Sequence, residues 1–423
     1  MSAAWKDREA GLRWFRGLAP AARRTFWACF GGWALDAMDV QFYSFVIPTL
    51  IASWSISRGQ AGLLATTTLL LSALGGWVAG LIADRIGRVR TLQVAILWYA
   101  IFTFLSGLTQ NYHQLLVVRG LMGLGFGGEW AAGAVLMGEV IRAEHRGKAV
   151  GSVQSGWAIG WGAATLLYTL FFSVLPADLA WRALFIAGLL PGIVVFFIRR
   201  YIPEPDVFTA TQKRIAAGAK RPPLTEIFTS GLLGTTVLAS LAATGAQGGY
   251  YAITNWLPTY LKTVRHLSVL DTGGYLAVVI IGSFTGYLAG AYLTDRLGRR
   301  RCFFLFAICC ALTVIVYTAL PITDREMLYL GFPLGFFVSG IFSGMGAYFT
   351  ELFPTRVRGS GQGFAYNFGR GVGALFPSLV GYLSQTMTLG AAIGTFAVIA
   401  YAILFIAVML LPETKGKTLT AYG

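Results

Sequence analysis

Acidic residues are scarce in this chain. Only 18 Asp and Glu stand among 423 residues, against 33 Lys and Arg, and charge of either sign makes up 12%. A soluble protein of this size carries roughly 25% charge, so an ordinary water-exposed surface is excluded. Histidine is rarer still, with His113, His145 and His266 in three separate connections. No metal cluster and no serine–histidine arrangement for hydrolysis follows from them, and neither a metal site, a cofactor nor enzyme activity is expected. The four cysteines, Cys29, Cys302, Cys309 and Cys310, lie in or beside apolar runs. There a thiol reads as a small apolar filler rather than a disulfide or ligand. A short apolar core with a cleavage site is also missing behind the basic N-terminus. The first apolar run is long and holds acids, so it is expected to be a retained span and not a signal peptide.

What the chain has in quantity is apolar sequence: 56% hydrophobic residues and a mean hydropathy of +0.65. Cut at its polar breaks, it leaves runs at about Thr25–Leu50, Gln60–Ile82, Thr91–Leu108, Leu115–Val140, Ala149–Leu175 and Trp181–Ile198. A second set follows at Leu232–Leu257, Thr272–Leu293, Cys302–Leu320, Met327–Tyr348, Gly361–Leu383 and Leu389–Leu411. Each is near the ~20 residues that cross a bilayer as a helix. The fold class is an all-α polytopic membrane protein of twelve transmembrane helices. Basic residues alternate between connections, with roughly 26 on one side and about 5 on the other. The positive-inside rule then puts both termini in the cytoplasm. The net charge of +15 is thus mostly an orientation signal, with anionic lipid as a secondary partner and nucleic acid excluded. The domain organisation reads as a cytoplasmic arm (1–24), a six-helix bundle (25–198), a cytoplasmic linker (199–229), a second six-helix bundle (230–411) and a cytoplasmic tail (412–423).

The two bundles repeat one another and are expected to be pseudo-symmetric. Gly80-Leu-Ile-Ala-Asp-Arg-Ile-Gly-Arg88 after the second helix recurs as Ala291-Tyr-Leu-Thr-Asp-Arg-Leu-Gly-Arg299 after the eighth. Glu139 and Arg146 after the fourth helix recur as Glu351 and Arg358 after the tenth, and Pro203-Glu204 recurs as Pro412-Glu413. Such duplication points to a transporter that binds its substrate between the repeats.

The paired Asp-Arg-x-Gly-Arg loops resemble the signature of the major facilitator superfamily. Arg119-Gly-Leu-Met-Gly123 with Gly125 resembles its fourth-helix motif, and Pro412-Glu-Thr-Lys-Gly416 the tail motif of many members. The resemblance implies a gate in which Asp84, Arg85, Arg88, Glu139 and Arg146 hold helix ends together in one state. Asp295, Arg296, Arg299, Glu351 and Arg358 would play the same parts in the other half. A motif aspartate at a helix N-terminus would be stabilised by the helix dipole. It also implies a monomer in the bacterial inner membrane, driven by the proton gradient rather than a cofactor. Gly123-x-Gly125-x-x-Gly128 formally fits a dinucleotide fingerprint, but without a preceding strand it reads as close helix packing.

Charges inside the spans are costly and mark function. Asp36 and Asp39 share a face of the first helix; Arg119 and Glu129 lie in the fourth and Arg370 in the eleventh. Arg370 has an alanine, Ala158, as its repeat counterpart, so a symmetric scaffold role does not account for it. A buried guanidinium suits a carboxylate, held through two parallel hydrogen bonds. Asn367, Tyr366, Tyr250, Asn255 and Trp256 are its candidate neighbours in substrate binding. Tyr366-Asn-Phe-Gly-Arg370 with Leu35-Asp-Ala-Met-Asp39 resembles organic-anion:proton symporters of the sialate/monocarboxylate and aromatic-acid kinds. The resemblance implies proton-coupled uptake of a small organic anion by alternating access, with Asp36, Asp39 and Glu129 as candidate proton carriers and Arg119 tuning one of them. A fixed ion pair with Arg119 or Arg370 is the alternative for each aspartate. A sugar or polyol symporter, suggested by the tail motif, does not require the buried arginine. A drug antiporter usually carries a glycine–proline motif in the fifth helix, and none stands between Gly151 and Ala163. A transporter-like sensor finds no added soluble domain here.

Overall fold

A chain this poor in polar groups has to satisfy its backbone within each segment, and helices do so. The computed structural model describes residues 15, 17–140, 146–200, 202, 204, 224–229, 231–354 and 357–415. Its helices group into twelve: α1 (Pro20–Trp54), α2 (Arg58–Ile86), α3 (Arg88–Leu108), α4 (Tyr112–Val140), α5 (Arg146–Gln154 and Gly156–Val174) and α6 (Ala177–Ala187 and Leu189–Arg200). After a short 3₁₀ turn at Leu224–Phe228 come α7 (Leu233–Thr254 and Leu257–Thr263), α8 (Val269–Leu297), α9 (Arg299–Ala319), α10 (Asp324–Leu352), α11 (Arg358–Gly373 and Leu375–Leu383) and α12 (Leu389–Leu410). No strand occurs among the described residues.

Several boundaries have a local cause. The first helix opens at Pro20, before the span expected from Thr25, because proline at the first turn loses no hydrogen bond. Capping boxes open α2 (Ser57 with Gln60) and α10 (Thr323 with Glu326). The interruption of α7 falls just before Pro258, which has no N–H to return to the preceding turn.

Eight helices are long and apolar enough to cross a membrane on length and composition, among the described residues; they lie in α2, α3, α5, α6, α8, α9, α10 and α12. The remaining four, α1, α4, α7 and α11, carry the charged and polar candidates of the site, with Asn255 and Trp256 at the break of α7.

Small residues let these helices approach closely, as expected where lipid offers no hydrophobic drive between them. A Cβ at Gly123 would lie 2.2 Å from the Thr68 carbonyl oxygen, and one at Gly127 1.7 Å from that of Ser72, so α4 packs on α2 backbone to backbone. Gly125 packs likewise on Ala95 and Tyr99 of α3. The glycines that mimic a nucleotide fingerprint are therefore packing positions. In the second half the same role falls to Gly282, Gly286 and Gly335 between α8 and α10.

Two pairs of helices join the halves: α2 with α11, and α5 with α8. On α2, Arg58 donates to the Ser384 carbonyl (3.2 Å) and Thr66 to that of Ala374 (2.6 Å), and the Ser378 hydroxyl donates to Thr66 (2.8 Å). A Cβ at Gly62 would lie 2.6 Å from the Pro377 oxygen. The second piece of α7 also packs on α1, and the first piece of α5 on α8 and α10. These contacts close over the space between the halves, and the charged groups there are wholly buried.

Candidate functional site

The antiparallel register of α1 and α4 is set by two contacts. Cys29 donates its thiol to the Gly133 carbonyl (3.6 Å), and Arg119 Nη1 comes within 3.7 Å of Asp39 Oδ2. That register puts Phe126 level with Asp36, and Glu129, itself buried, level with Trp33. The two helix-one aspartates are thereby separated. Asp39 goes to Arg119, and Asp36 lies within electrostatic reach of Arg370.

The Asp39–Arg119 contact is longer than a hydrogen bond, and Asp39 Oδ1 and Arg119 Nε and Nη1 have no hydrogen-bond partner among the described residues. Charge attraction between two buried groups holds the pair. The guanidinium also lies over the rings of Tyr43 (5.4 Å) and Phe185 (5.5 Å), and Thr103 faces Asp39. All of these groups belong to α1, α3, α4 and α6.

Arg370 has a different setting. Its guanidinium lies over Tyr366 of its own helix (5.4 Å) and Phe126 of α4 (5.2 Å), and beside Tyr251 of α7. The rings continue outward. Phe126 meets Trp157 at 6.4 Å between centroids, and Trp157 meets Trp33 at 4.9 Å and Tyr250 at 6.3 Å. The Trp157 indole donates to the Tyr250 hydroxyl, a hydrogen bond between α5 and α7 across the two halves. Gln247 secures this wall: it donates to the Tyr366 carbonyl (2.9 Å) and accepts from the Tyr251 hydroxyl (3.2 Å). The result is a cation in an aromatic box drawn from α1, α4, α5, α7 and α11, suited to a flat anion.

Of the residues expected around Arg370, the structure brings Tyr366 and Tyr250 to this box. Three others are engaged elsewhere. Asn367 donates to Gly363 of its own helix and packs on α2, its Oδ1 2.7 Å from where a Cβ at Gly76 would be. Asn255 donates to the Tyr251 carbonyl at the break of α7, and Trp256 donates to the Pro377 carbonyl (3.0 Å). These contacts stabilise an interrupted helix and its seam with α11. Trp33, Phe126, Trp157 and Gln41 line or face the box and are not among the expected residues. Their signal was that they sit on the same helices as the buried charges.

In the motif loops the structure pairs Arg299 with Glu351 through two bonds, Nε to Oε2 (3.0 Å) and Nη2 to Oε1 (2.8 Å). Arg299 and Arg88 each also donate to the carbonyl five residues back, of Thr294 and Ala83. Arg296 is exposed, and its carbonyl receives the Lys415 ammonium (2.6 Å). The side chains of Asp84, Arg85, Glu139, Arg146, Asp295 and Arg358 lie outside the described residues. By backbone, Asp84 and Asp295 stand in the last turns of α2 and α8. The described acids that sit on helix N-termini are others: Glu204 accepts the backbone N–H groups of Arg88, Val89 and Arg90 (2.8, 2.9 and 3.3 Å), and Glu413 those of Arg299 and Arg300 (2.9 and 3.0 Å). Each satisfies orphan donors at the positive end of a helix. The glycines before them have φ of 111° and 95°, and a Cβ at Gly87 would lie 2.3 Å from Glu204 Oε1.

A model of the Major Facilitator Superfamily matches residues 29–377 and again 291–421. The chain is 42% identical over 414 residues to a probable 4-methylmuconolactone transporter of Cupriavidus pinatubonensis, covering 97% of this chain and 95% of that one. It is 32% identical over 366 residues to a cis,cis-muconate transport protein of Acinetobacter baylyi, covering 84% and 86%. Among solved structures, a bacterial homologue of the human lysosomal transporter Spinster, inward-facing and unoccupied, superposes with a TM-score of 0.69 at 19% identity, over 93% of this chain and 98% of that one. That likeness concerns the fold.

Proposed function

The chain belongs to the Major Facilitator Superfamily, a multi-pass membrane transporter and not an enzyme, and on that premise we propose that it takes up a small organic carboxylate together with a proton by alternating access. Arg370, buried between the halves in an aromatic box, carries this reading. Its guanidinium accepts a carboxylate through two parallel bonds, and the surrounding rings accommodate a planar, conjugated body. The relatives carry a muconolactone and a muconate by name, which agrees with such a body.

Asp36 shares the field of Arg370 and is the acid that an incoming carboxylate displaces electrostatically. Asp39, held against Arg119 away from the box, is the proton carrier, with Glu129, at the level of Trp33, as the second candidate. A protonated acid and a bound anion together leave the space between the halves nearly neutral, and neutral contents are what a low-dielectric seam tolerates as the halves rock. The protein works as a monomer in the bacterial inner membrane with both termini in the cytoplasm, where its basic loops lie. Proteoliposome uptake of cis,cis-muconate, benzoate and lactate under an imposed pH gradient tests the reading. Acid-outside accumulation of at least one conjugated carboxylate is expected; accumulation of neutral sugars, or of none of these acids, would refute it.

A further inference from the structure

On the outer side of the first half, α1, α5 and α6 enclose a furrow of about 580 Å³, and every residue that lines it is apolar. Small residues make its floor: Gly31 and Ala34 of α1, Gly160 and Ala163 of α5. The Ala34 carbonyl lies 1.7 Å from where a Cβ at Gly160 would be, so the two backbones close the furrow from behind. A Cβ at Gly31, by contrast, would meet nothing within 4 Å. Larger side chains stand along the sides, and of these Ile159, Leu190 and Val194 are exposed. Asp36 and Asp39 do not line it, so it is separate from the space between the halves. Its length suits one leaflet. From Phe30 to Met38 the helix rises about 12 Å, most of the ~15 Å of hydrocarbon in half a bilayer.

One end of the furrow carries charge. One and two turns before Gly31, on the same face of α1, stand Trp27 and Arg24, both exposed. Trp27 sets its ring edge-on to Phe30 at 5.5 Å, where the furrow begins. Tryptophan is the residue that marks the level where hydrocarbon meets head groups. Arg24 lies about 9 Å beyond Phe30 along the helix, at head-group depth. It makes no ion pair or hydrogen bond among the described residues. An apolar slot, an interfacial ring and an uncommitted cation thus follow one another in the order of a lipid's own parts. We infer that the furrow and Arg24 form a binding site for an anionic phospholipid of the cytoplasmic leaflet. One acyl chain lies between α1, α5 and α6, and the phosphate is held at Arg24. The chain joins α1 to the second piece of α6, so the lipid stabilises the folded protein by mass action.

Phosphatidylglycerol and phosphatidylethanolamine with identical acyl chains separate the charge from the chain. The purified full chain in detergent is titrated with each, and native mass spectrometry reads the dissociation constant of the first lipid bound. The wild type is expected to favour phosphatidylglycerol by about fivefold, the contribution of one arginine at an anionic surface. Arg24→Gln is expected to bring that ratio to about twofold or less. Gly31→Leu, whose added side chain begins in open space, is expected to weaken phosphatidylglycerol binding by about tenfold. Equal affinity of the wild type for the two lipids, or wild-type binding of phosphatidylglycerol by Gly31→Leu, overturns the site. A dimer mass in the wild type that Gly31→Leu abolishes would mean that a second copy covers the furrow, and overturns it as well. If Gly31→Leu does not fold, Arg24→Gln carries the test, since an exposed residue near the helix end leaves the packing intact. A preference for phosphatidylglycerol that survives Arg24→Gln overturns the site.

Discussion

Arg119 and Arg370 are buried to the same degree, 2% and 1% exposed, yet they are held in opposite ways. Arg119 has its acid and its two rings from α1 and α6, all within the first half of the chain. That environment lies within one half. Arg370 rests on a tyrosine of its own helix and on Phe126 from the opposite half. Its surroundings draw on both halves, Phe126 and the field of Asp36 coming from the first. The difference supports the proposed roles: a cation paired within one half suits a proton carrier's counterion, and one lined from both halves suits a substrate.

The largest expected effect breaks the second arginine. Arg370→Lys keeps the charge but loses the planar fork and its stacking on Phe126 and Tyr366. Initial uptake rates in proteoliposomes are expected to fall by roughly 100-fold, two to three kcal/mol of lost binding. Wild-type kinetics from this variant would end the bidentate role.

The next effect tests the first arginine. Asp39→Asn leaves Arg119 as an unpaired buried charge, which costs about 3–5 kcal/mol of stability. Adding Arg119→Leu to it should recover most of the melting temperature. If Asp39 were only scaffold, the double variant would also regain pH-driven accumulation. We expect it not to, while substrate exchange without a gradient continues. Asp36→Asn, by contrast, is expected to change substrate affinity and to keep coupling, so the two aspartates should fail in different assays.

The contrast also shows which parts of the molecule could be read in advance. Twelve spans were legible because a bilayer imposes a length of about 20 apolar residues, and the duplicated loops gave the architecture directly. Charges in the spans stood out against an apolar background, so Asp36, Asp39, Arg119 and Arg370 were visible. Trp33, Phe126 and Trp157 were not, since aromatics make up 14% of the chain and most pack between helices. Gln41 does not stand out in the sequence because an amide carries no charge. Asn367 stands near Arg370 in the sequence and Asn255 and Trp256 on the seventh helix, but the close approach of Gly76 and the break before Pro258 turn them to the scaffold.

A smaller effect compares the two motif loops. Gly87→Ala would place a methyl 2.3 Å from Glu204 Oε1, and Gly298→Ala one 2.8 Å from Glu413 Oε2, both at positive φ. Each is expected to cost about 1–3 kcal/mol, with Gly87→Ala the more severe because its carboxylate oxygen is nearer. Thermal melts of the purified variants would check the order, and equal or reversed losses would show that these carboxylates can yield.

The smallest expected effect is the pH dependence of the second loop. Partial burial pushes the Glu413 carboxyl up, but the backbone N–H groups of Lys415, Arg299, Arg300 and Thr414 together outweigh it and hold the group below its usual value. A carboxyl whose folded value is lowered stabilises the fold above its ordinary range, near pH 4.3, and loses that contribution as pH falls through the lowered value. Glu413→Gln keeps the shape and one acceptor but removes the charge at the N-terminus of α9. Its melting temperature should therefore trail the wild type by roughly 2 °C at pH 7, and the gap should close as the pH drops below about 4. Because Glu413 reaches α9 from beyond α12, a gap that stayed constant across this range would mean that the tail holds the loop by shape alone, with no contribution from charge at the helix end.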